Sequence, residues 1–157
     1  MSDKLRSDRD RPADANRRDE MPAVYFETHF LRESVWKDWP REFAIVTAWA
    51  TTGEAWTDER NRSADCALET ELRQLSNWVR RLTGYSPATG HAEPGWAVEI
   101  EFETACDIGR KYHQDAVYLV SGDTLSVSFC DRRRGLTDVG AFRCRVHERS
   151  EIDWLPR

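Results

Sequence analysis

Apolar residues recur along the chain with two different periods, and these periods predict both strands and helices. The segment Phe43-Ala-Ile-Val-Thr-Ala-Trp49 is almost continuously apolar and β-branched, and Pro40 and Gly53 bound it. This composition is typical of a strand that is buried on both faces. Between Trp96 and Phe102 every second residue is instead a large apolar one, which predicts a strand with a single buried face.

The longest helical pattern starts at about Asp58 or Ser63 and is predicted to run to Leu82. Apolar residues at steps of four and three form one stripe that faces the core, namely Leu68, Leu72, Leu75, Val79 and Leu82. The same steps, extended backwards, reach Asp65 and Asn61. The start of the stripe is therefore polar, and two interpretations stay open: these residues cap the helix outside the core, or they point into a cleft.

A second helix is predicted from Thr104 to about Tyr112, and a hairpin follows it. Ala116–Val120 and Thr124–Cys130 have strand composition and flank the turn sequence Ser121-Gly122-Asp123. The order of elements is a short helix or edge element, then β-α-β-β-α-β-β, with one more edge strand over residues 142–147. This order predicts an α+β fold with a mixed β-sheet and two main helices packed on one face.

The domain organisation follows from length and composition. A chain of 157 residues with 39% hydrophobic residues is sized for one domain with one core. Residues 1–20 carry six basic and six acidic side chains and almost no apolar ones, which predicts a disordered charged tail. We therefore expect a single α+β domain over residues 21–150 and a short C-terminal tail over residues 151–157.

Charge and composition exclude several classes of function. A formal net charge of −5 argues against a general nucleic-acid coat and against binding to anionic membranes. No apolar run approaches the roughly 18 residues that span a bilayer, and the charged N-terminus lacks a signal-peptide segment. The four cysteines are widely spaced and fit neither a zinc ribbon nor a disulfide scaffold. We expect a soluble, cytoplasmic protein without a cofactor and without a membrane partner.

The densest group of polar side chains lies between residues 90 and 118, at the ends of predicted elements, where sites are usually built. Glu93 precedes Pro94, which restricts the Glu93 backbone to extended conformations. Gln114 follows the second helix and precedes a buried strand, and we expect both side chains to lie next to aromatic residues, namely Trp96, Tyr112 and Trp49. The candidate binding residues are Glu93, Gln114, Asp115, His91, Trp96 and Asn61. Polar side chains rimmed by aromatic ones favour a small binding or regulatory module that contacts a protein or nucleic-acid partner through the Glu93/Gln114 corner.

Other interpretations of the same residues stay open. A small hydrolase would use Glu93 or Asp115 as general base, with His91 or His113 as its partner. The same four side chains are suitable metal ligands, so that a metal-assisted reaction is chemically possible. A magnesium-dependent nuclease site would combine Glu99, Glu101, Asp115 and Lys111. Alternatively, the carboxylate and the amide at the corner serve only to satisfy backbone groups.

Several short motifs occur in a fixed order between residues 23 and 130. They are Ala23-Val-Tyr25 with Thr28, Thr47-Ala48-Trp49, Asn61 ahead of Ala67-Leu68-Glu-x-Glu71-Leu72, His91-Ala-Glu93-Pro-Gly-Trp96-Ala-Val, and Gly109-Arg-Lys-Tyr-His-Gln114-Asp115-Ala116. In order and spacing this set resembles the DUF3293 family of small bacterial proteins of unknown function. The resemblance implies a shared fold and the location of a site, but it supplies no reaction.

Three positions depart from what the resemblance implies. Ala50-Thr51 follows Trp49 where Asn-Pro is usual, Asp65 stands where Asn is usual, and His113 stands where Gly is usual. The last position should end the second helix with a positive φ. Histidine is among the residues enriched in that conformation, so we expect His113 to act as the C-terminal cap.

Overall fold

The computed structural model describes residues 20–51 and 53–152, and nearly all of both predicted tails lies outside these residues. The helices are α1 (Val24–Glu27), α2 (Asp58–Leu75) and α3 (Phe102–Lys111). The strands are β1 (His29–Arg32), β2 (Glu42–Val46), β3 (Val79–Tyr85), β4 (Ala92–Val98), β5 (Ala116–Ser121), β6 (Thr124–Phe129), β7 (Thr137–Ala141) and β8 (Val146–Glu148). Short 3₁₀ turns span Phe142–Cys144 and Arg149–Glu151.

The eight strands form one sheet in the order β7-β6-β5-β2-β4-β3-β1-β8. Neighbouring strands run antiparallel, except that β1 and β8 are parallel. The sheet is therefore mixed, and the predicted single α+β domain is confirmed. Within this sheet β2 lies between β4 and β5, and both of these strands run antiparallel to it. The end of β2 therefore lies beside the beginnings of β4 and β5.

Strand β2 is covered on both faces, as its composition predicts. Ala44 and Val46 pack on one face, in the cluster to which α2 and α3 contribute their buried residues. Phe43 and Ile45 pack on the other face, in a cluster rich in aromatic side chains. The placement of both main helices on one face of the sheet is therefore confirmed.

The predicted extent of the longest helix is wrong. Helix α2 ends at Leu75, and Ser76 is extended, with φ −147° and ψ 145°. The hydroxyl of Ser76 accepts a hydrogen bond from the N–H of Trp78 at 3.1 Å, which closes a turn that cannot continue as helix. The residues that were to complete the helical stripe, Val79 and Leu82, lie in β3.

Smaller boundaries also differ from the predictions. Strand β4 runs from Ala92 to Val98, whereas the strand was predicted between Trp96 and Phe102, so Glu93 lies within the strand rather than before it. The chain then enters α3 at Phe102 rather than at Thr104. The predicted edge strand over residues 142–147 is instead a 3₁₀ turn followed by the three residues of β8. The hairpin is confirmed: Ser121 pairs with Thr124 across a two-residue turn.

His113 ends α3 as expected, with a φ of 59°. The N–H of His113 donates to the carbonyl of Arg110 at 3.1 Å, and the N–H of Gln114 donates to the carbonyl of Gly109 at 2.8 Å. These are the two hydrogen bonds of a Schellman motif. The motif fixes the backbone at Gln114, one of the candidate binding residues.

Two further expectations concern membrane-spanning helices and the state of the cysteines. Across residues 20–51 and 53–152, no helix combines the length and the apolar character that crossing a bilayer requires. The cysteines are all free thiols; Cys106 and Cys130 are buried, whereas Cys66 and Cys144 are exposed.

A pair of stacked histidines joins β1 to β8. Nδ1 of His29 and Nε2 of His147 are 2.8 Å apart, and the rings are nearly parallel. A hydrogen bond between two imidazoles needs one unprotonated nitrogen as acceptor. Burial, together with the nearby His147 and Arg145, holds the pKa of His29 below its ordinary value.

The histidine pair predicts that stability falls in mild acid. Because the pKa of His29 is lowered in the folded state, the unfolded chain takes up the proton at a higher pH than the folded chain. The contribution of neutral His29 to the free energy of unfolding is complete above the pKa of histidine in the unfolded chain, about 6.5. This contribution is lost as the pH falls below that value. We expect the Tm, measured by scanning calorimetry, to drop between about pH 7.5 and 5.5. The drop should be smaller for His29→Gln, and equal drops in the two proteins would contradict this prediction.

Candidate functional site

A cavity of about 610 Å³ opens at the end of the sheet where β2 ends and β4 and β5 begin. Its walls come from α1, the segment after β2, the first turn of α2, and the adjoining parts of β3, β4 and β5. The volume lies within the range of about 300–1,000 Å³ that small-ligand sites occupy. Four of the six candidate residues line the cavity, namely Asn61, His91, Glu93 and Gln114.

Asn61 lies in the first turn of α2 and is buried. Its Oδ1 accepts a hydrogen bond from the N–H of Ala50 at 2.9 Å. Because a backbone N–H can donate only to the oxygen of the amide, this contact fixes the orientation of the side chain. The Nδ2 donor has no hydrogen-bond partner within the described part of the chain. Asn61 therefore holds the segment after β2 and leaves a donor at the cavity.

Gln114 ties the same segment to the end of α3. Its Nε2 donates to the carbonyl of Trp49 at 2.7 Å and to the carbonyl of Tyr112 at 3.1 Å. Both partners are acceptors, so the amide nitrogen must face them and Oε1 must face away. The side chain thus satisfies backbone groups, which is one of the two roles expected from the sequence. It also leaves an acceptor, Oε1, on a residue that lines the cavity.

His91 and Glu93 form a pair at the cavity. Nε2 of His91 and Oε1 of Glu93 are 3.0 Å apart, and Glu93 pairs with Gly84 across β4 and β3. The His91 side chain is 69% exposed, whereas that of Glu93 is 30% exposed. The carboxylate is therefore the more enclosed member of the pair, and the strand backbone holds it in place.

The other two candidates lie elsewhere. The indole N–H of Trp96 donates to Oδ1 of Asp65 at 3.0 Å, and this ring is buried between α2 and the sheet. Asp115 is exposed, and its Oδ2 accepts from Oγ1 of Thr51 at 3.1 Å. Neither residue lines the cavity. Trp96 is a core residue, and Asp115 braces the loop that forms one wall.

The hypothetical metal site is not assembled. His113 is exposed and serves as the cap of α3, so it does not join His91 and Glu93. Over residues 20–51 and 53–152, no group of three or more His, Cys, Asp or Glu side chains is placed to hold a metal ion. This finding also applies to the carboxylates proposed for a magnesium site.

Few signals in the sequence predict the aromatic walls of the cavity. Large aromatic side chains line much of the cavity, namely Tyr25, Phe30, Trp49, Trp56, Tyr85 and Tyr118. The hydroxyl of Tyr118 donates to the carbonyl of Tyr25 at 2.8 Å and so attaches α1 to the sheet. Burial raises the pKa of Tyr118 well above its ordinary value, so it remains a neutral donor. Tyr25 and Trp49 belong to motifs of the family resemblance, and these motifs were the available signals for the walls.

The charged groups of the cavity are mainly acidic. Glu54, Asp58 and Glu93 line it, and no Lys or Arg does so among the described residues. The indole N–H of Trp56 donates to Oε2 of Glu54 at 3.0 Å. The guanidinium of Arg60 lies 3.8 Å from the centre of the same ring, although Arg60 itself is not a lining residue. The cavity therefore combines apolar aromatic walls with carboxylates.

A family model described as "Protein of unknown function (DUF3293)" matches residues 46–117. Residues 46–117 belong to the DUF3293 family. The DUF3293 match runs from the end of β2 to the beginning of β5 and contains all four polar candidates at the cavity. It confirms the resemblance over a narrower segment than the motifs indicated. Neither curated proteins nor solved structures gave a match to the chain.

Proposed function

We propose that this DUF3293 protein is a binding module whose cavity, at the Glu93/Gln114 corner, receives part of a protein partner. The observation that carries the proposal is the composition of the cavity. It joins aromatic walls, two amides in fixed orientations and three carboxylates in one concave site. Concave, largely apolar sites with a few oriented polar groups are the usual form of a binding site.

The charges favour a protein over a nucleic acid as the partner. Nucleic-acid binding depends on Lys and Arg side chains that neutralise phosphates. The described lining of the cavity contains neither. Three of the arginines near the C-terminus form ion pairs within the chain: Arg133 with Asp131, Arg134 with Glu103 and Asp107, and Arg143 with Asp123.

Site-specific photo-crosslinking tests this proposal. Ala55 is exposed and lines the cavity, so Ala55→p-benzoylphenylalanine places a photoreactive group at its mouth. Val35 is 67% exposed and does not line the cavity, so the same substitution there is the matched control. After irradiation in cells that produce the full chain, we expect a discrete crosslinked protein from position 55 and not from position 35.

The identity of the crosslinked material decides the outcome. A protein band that is reduced by Gln114→Ala in the same chain would support the proposal. Crosslinks to nucleic acid, or identical products from positions 55 and 35, would contradict it. Circular dichroism of each purified variant establishes that the fold is retained, since Gln114 also binds two backbone carbonyls.

Hydrolysis is the second candidate function, and one observation favours it. His91 and Glu93 are 3.0 Å apart at a cavity, which is the arrangement of a general base and its orienting partner. The other two residues that the hydrolase hypothesis enlisted, His113 and Asp115, do not line the cavity. A screen with chromogenic ester, phosphate and glycoside substrates distinguishes the two functions. Turnover that is abolished by His91→Gln would replace the binding module with an enzyme.

A further inference from the structure

We infer that the group which the cavity takes from its partner is a cationic side chain, lysine or arginine. This inference rests on the proposed function and deepens it. Three carboxylates and no described Lys or Arg line the cavity. A partner that covers the cavity also removes water from the half-buried Glu93. Burying a carboxylate without a compensating charge is unfavourable, and a cation supplies that charge.

His91 does not replace such a cation. It contacts Glu93 through one nitrogen, is largely exposed, and carries a charge only when it is protonated. The second carboxylate oxygen of Glu93 has no hydrogen-bond partner within the described residues, and an ammonium or guanidinium group can donate to it.

The aromatic walls favour the same chemistry. Cations bind over the faces of Trp and Tyr rings, and the apolar stem of Lys or Arg packs against apolar surface. A contact of this kind already exists at the edge of the cavity, where the guanidinium of Arg60 lies 3.8 Å from the Trp56 ring centre. Trp49 and Tyr25 are half-buried lining residues whose rings offer further surface of this kind.

The two amides favour a peptide over a free amine. Oε1 of Gln114 is an acceptor that suits the N–H groups of a cationic side chain, which are donors only. Nδ2 of Asn61 is a donor and suits a backbone carbonyl of the same segment. A peptide that carries Lys or Arg supplies both groups, whereas a simple polyamine supplies no acceptor once it is protonated.

Titration with matched amino-acid amides tests the inference. The probes are N-acetyl-arginine amide, its neutral analogue N-acetyl-citrulline amide, and the anionic N-acetyl-glutamate amide. The readout is the indole N–H signals of Trp49 and Trp56 in the ¹⁵N-labelled full chain, assigned with Trp49→Phe and Trp56→Phe. We expect the arginine probe to bind at least about fivefold more tightly than the citrulline probe.

Charge variants locate the effect. Glu93→Gln should weaken binding of the arginine probe about fivefold and leave the citrulline probe unchanged. Glu99→Gln is the matched control, because Glu99 is exposed and does not line the cavity. Equal binding of the arginine and citrulline probes, tighter binding of the glutamate probe, or equal effects of the two Gln variants would overturn the inference. In each of these cases, indole signals that shift when a probe is added would still support a binding module, and only the inference of a cationic side chain would fail. Absence of any shift, together with absence of a crosslink from position 55, would overturn both proposals.

Discussion

Leu72→Ala is expected to lower the free energy of unfolding by about 3 kcal/mol, whereas Leu75→Ala should change it by less than ~0.5 kcal/mol. Leu72 has no exposed surface and packs in the core between α2 and the sheet. Its truncation removes buried methyl groups and leaves a cavity. Leu75 is 52% exposed at the last position of the same helix, so little burial is lost there.

Urea denaturation followed by tryptophan fluorescence measures both values. The two variants make the same chemical change, three residues apart in one helix, so helix propensity cancels between them. Similar losses of stability in the two variants would contradict the observed end of α2. They would favour instead the longer helix that the leucine spacing predicted, in which both residues face the core.

The spacing of Val79 and Leu82 wrongly predicted a helix because β3 is covered on both faces. Val79 packs in the core cluster beneath the helices, and Leu82 packs in the aromatic cluster on the opposite face. Arg81, between them, extends to the helix face and pairs with Asp65. A strand with one apolar side chain on each face and two arginines between them reproduces a three-residue step. The sequence alone contains no feature that distinguishes this pattern from one turn of a helix.

The polar part of the site was more predictable than its walls. Glu93 and Gln114 were located by local signals, the following proline and the helix end, and Asn61 by its place on the stripe of α2. These three residues line the cavity, and the local patterns could indicate them because each pattern depends on only a few neighbouring residues. The aromatic walls depend on how distant parts of the chain come together, since Tyr25 lies in α1, Trp56 in the segment before α2 and Tyr118 in β5. The parallel pairing of β1 with β8 joins the two ends of the domain, and strands of four and three residues carry little periodicity.

Asp65→Ala is expected to lower the free energy of unfolding by about 3 kcal/mol, because it removes the acceptor for two other residues. The Asp65 carboxylate accepts from both terminal nitrogens of Arg81, at 2.9 and 2.7 Å, and from the indole N–H of Trp96. The Arg81 guanidinium also lies 3.7 Å from the Trp96 ring centre. Without the carboxylate, the partly buried Arg81 cation keeps a hydrogen bond to the carbonyl of Gly95 at 3.4 Å but loses its charge partner, and the buried indole N–H of Trp96 loses its acceptor. Asp65→Asn should cost less, since an amide oxygen can still accept from Trp96.

A double-mutant cycle with Arg81→Met separates the ion pair from the rest of the loss. If the buried pair is the source, Asp65→Ala should destabilise the Arg81→Met chain much less than the wild type. Glu69→Ala is the control, because its pair with Arg73 is solvent-exposed and should contribute under about 0.5 kcal/mol. Additive losses would contradict a coupled pair.

Asp65 lies one helical turn after Asn61, so the contact between α2 and β3 also holds the cavity-lining amide in place. A coupled pair should therefore make Asp65→Ala weaken binding of the arginine probe, even though Asp65 does not line the cavity.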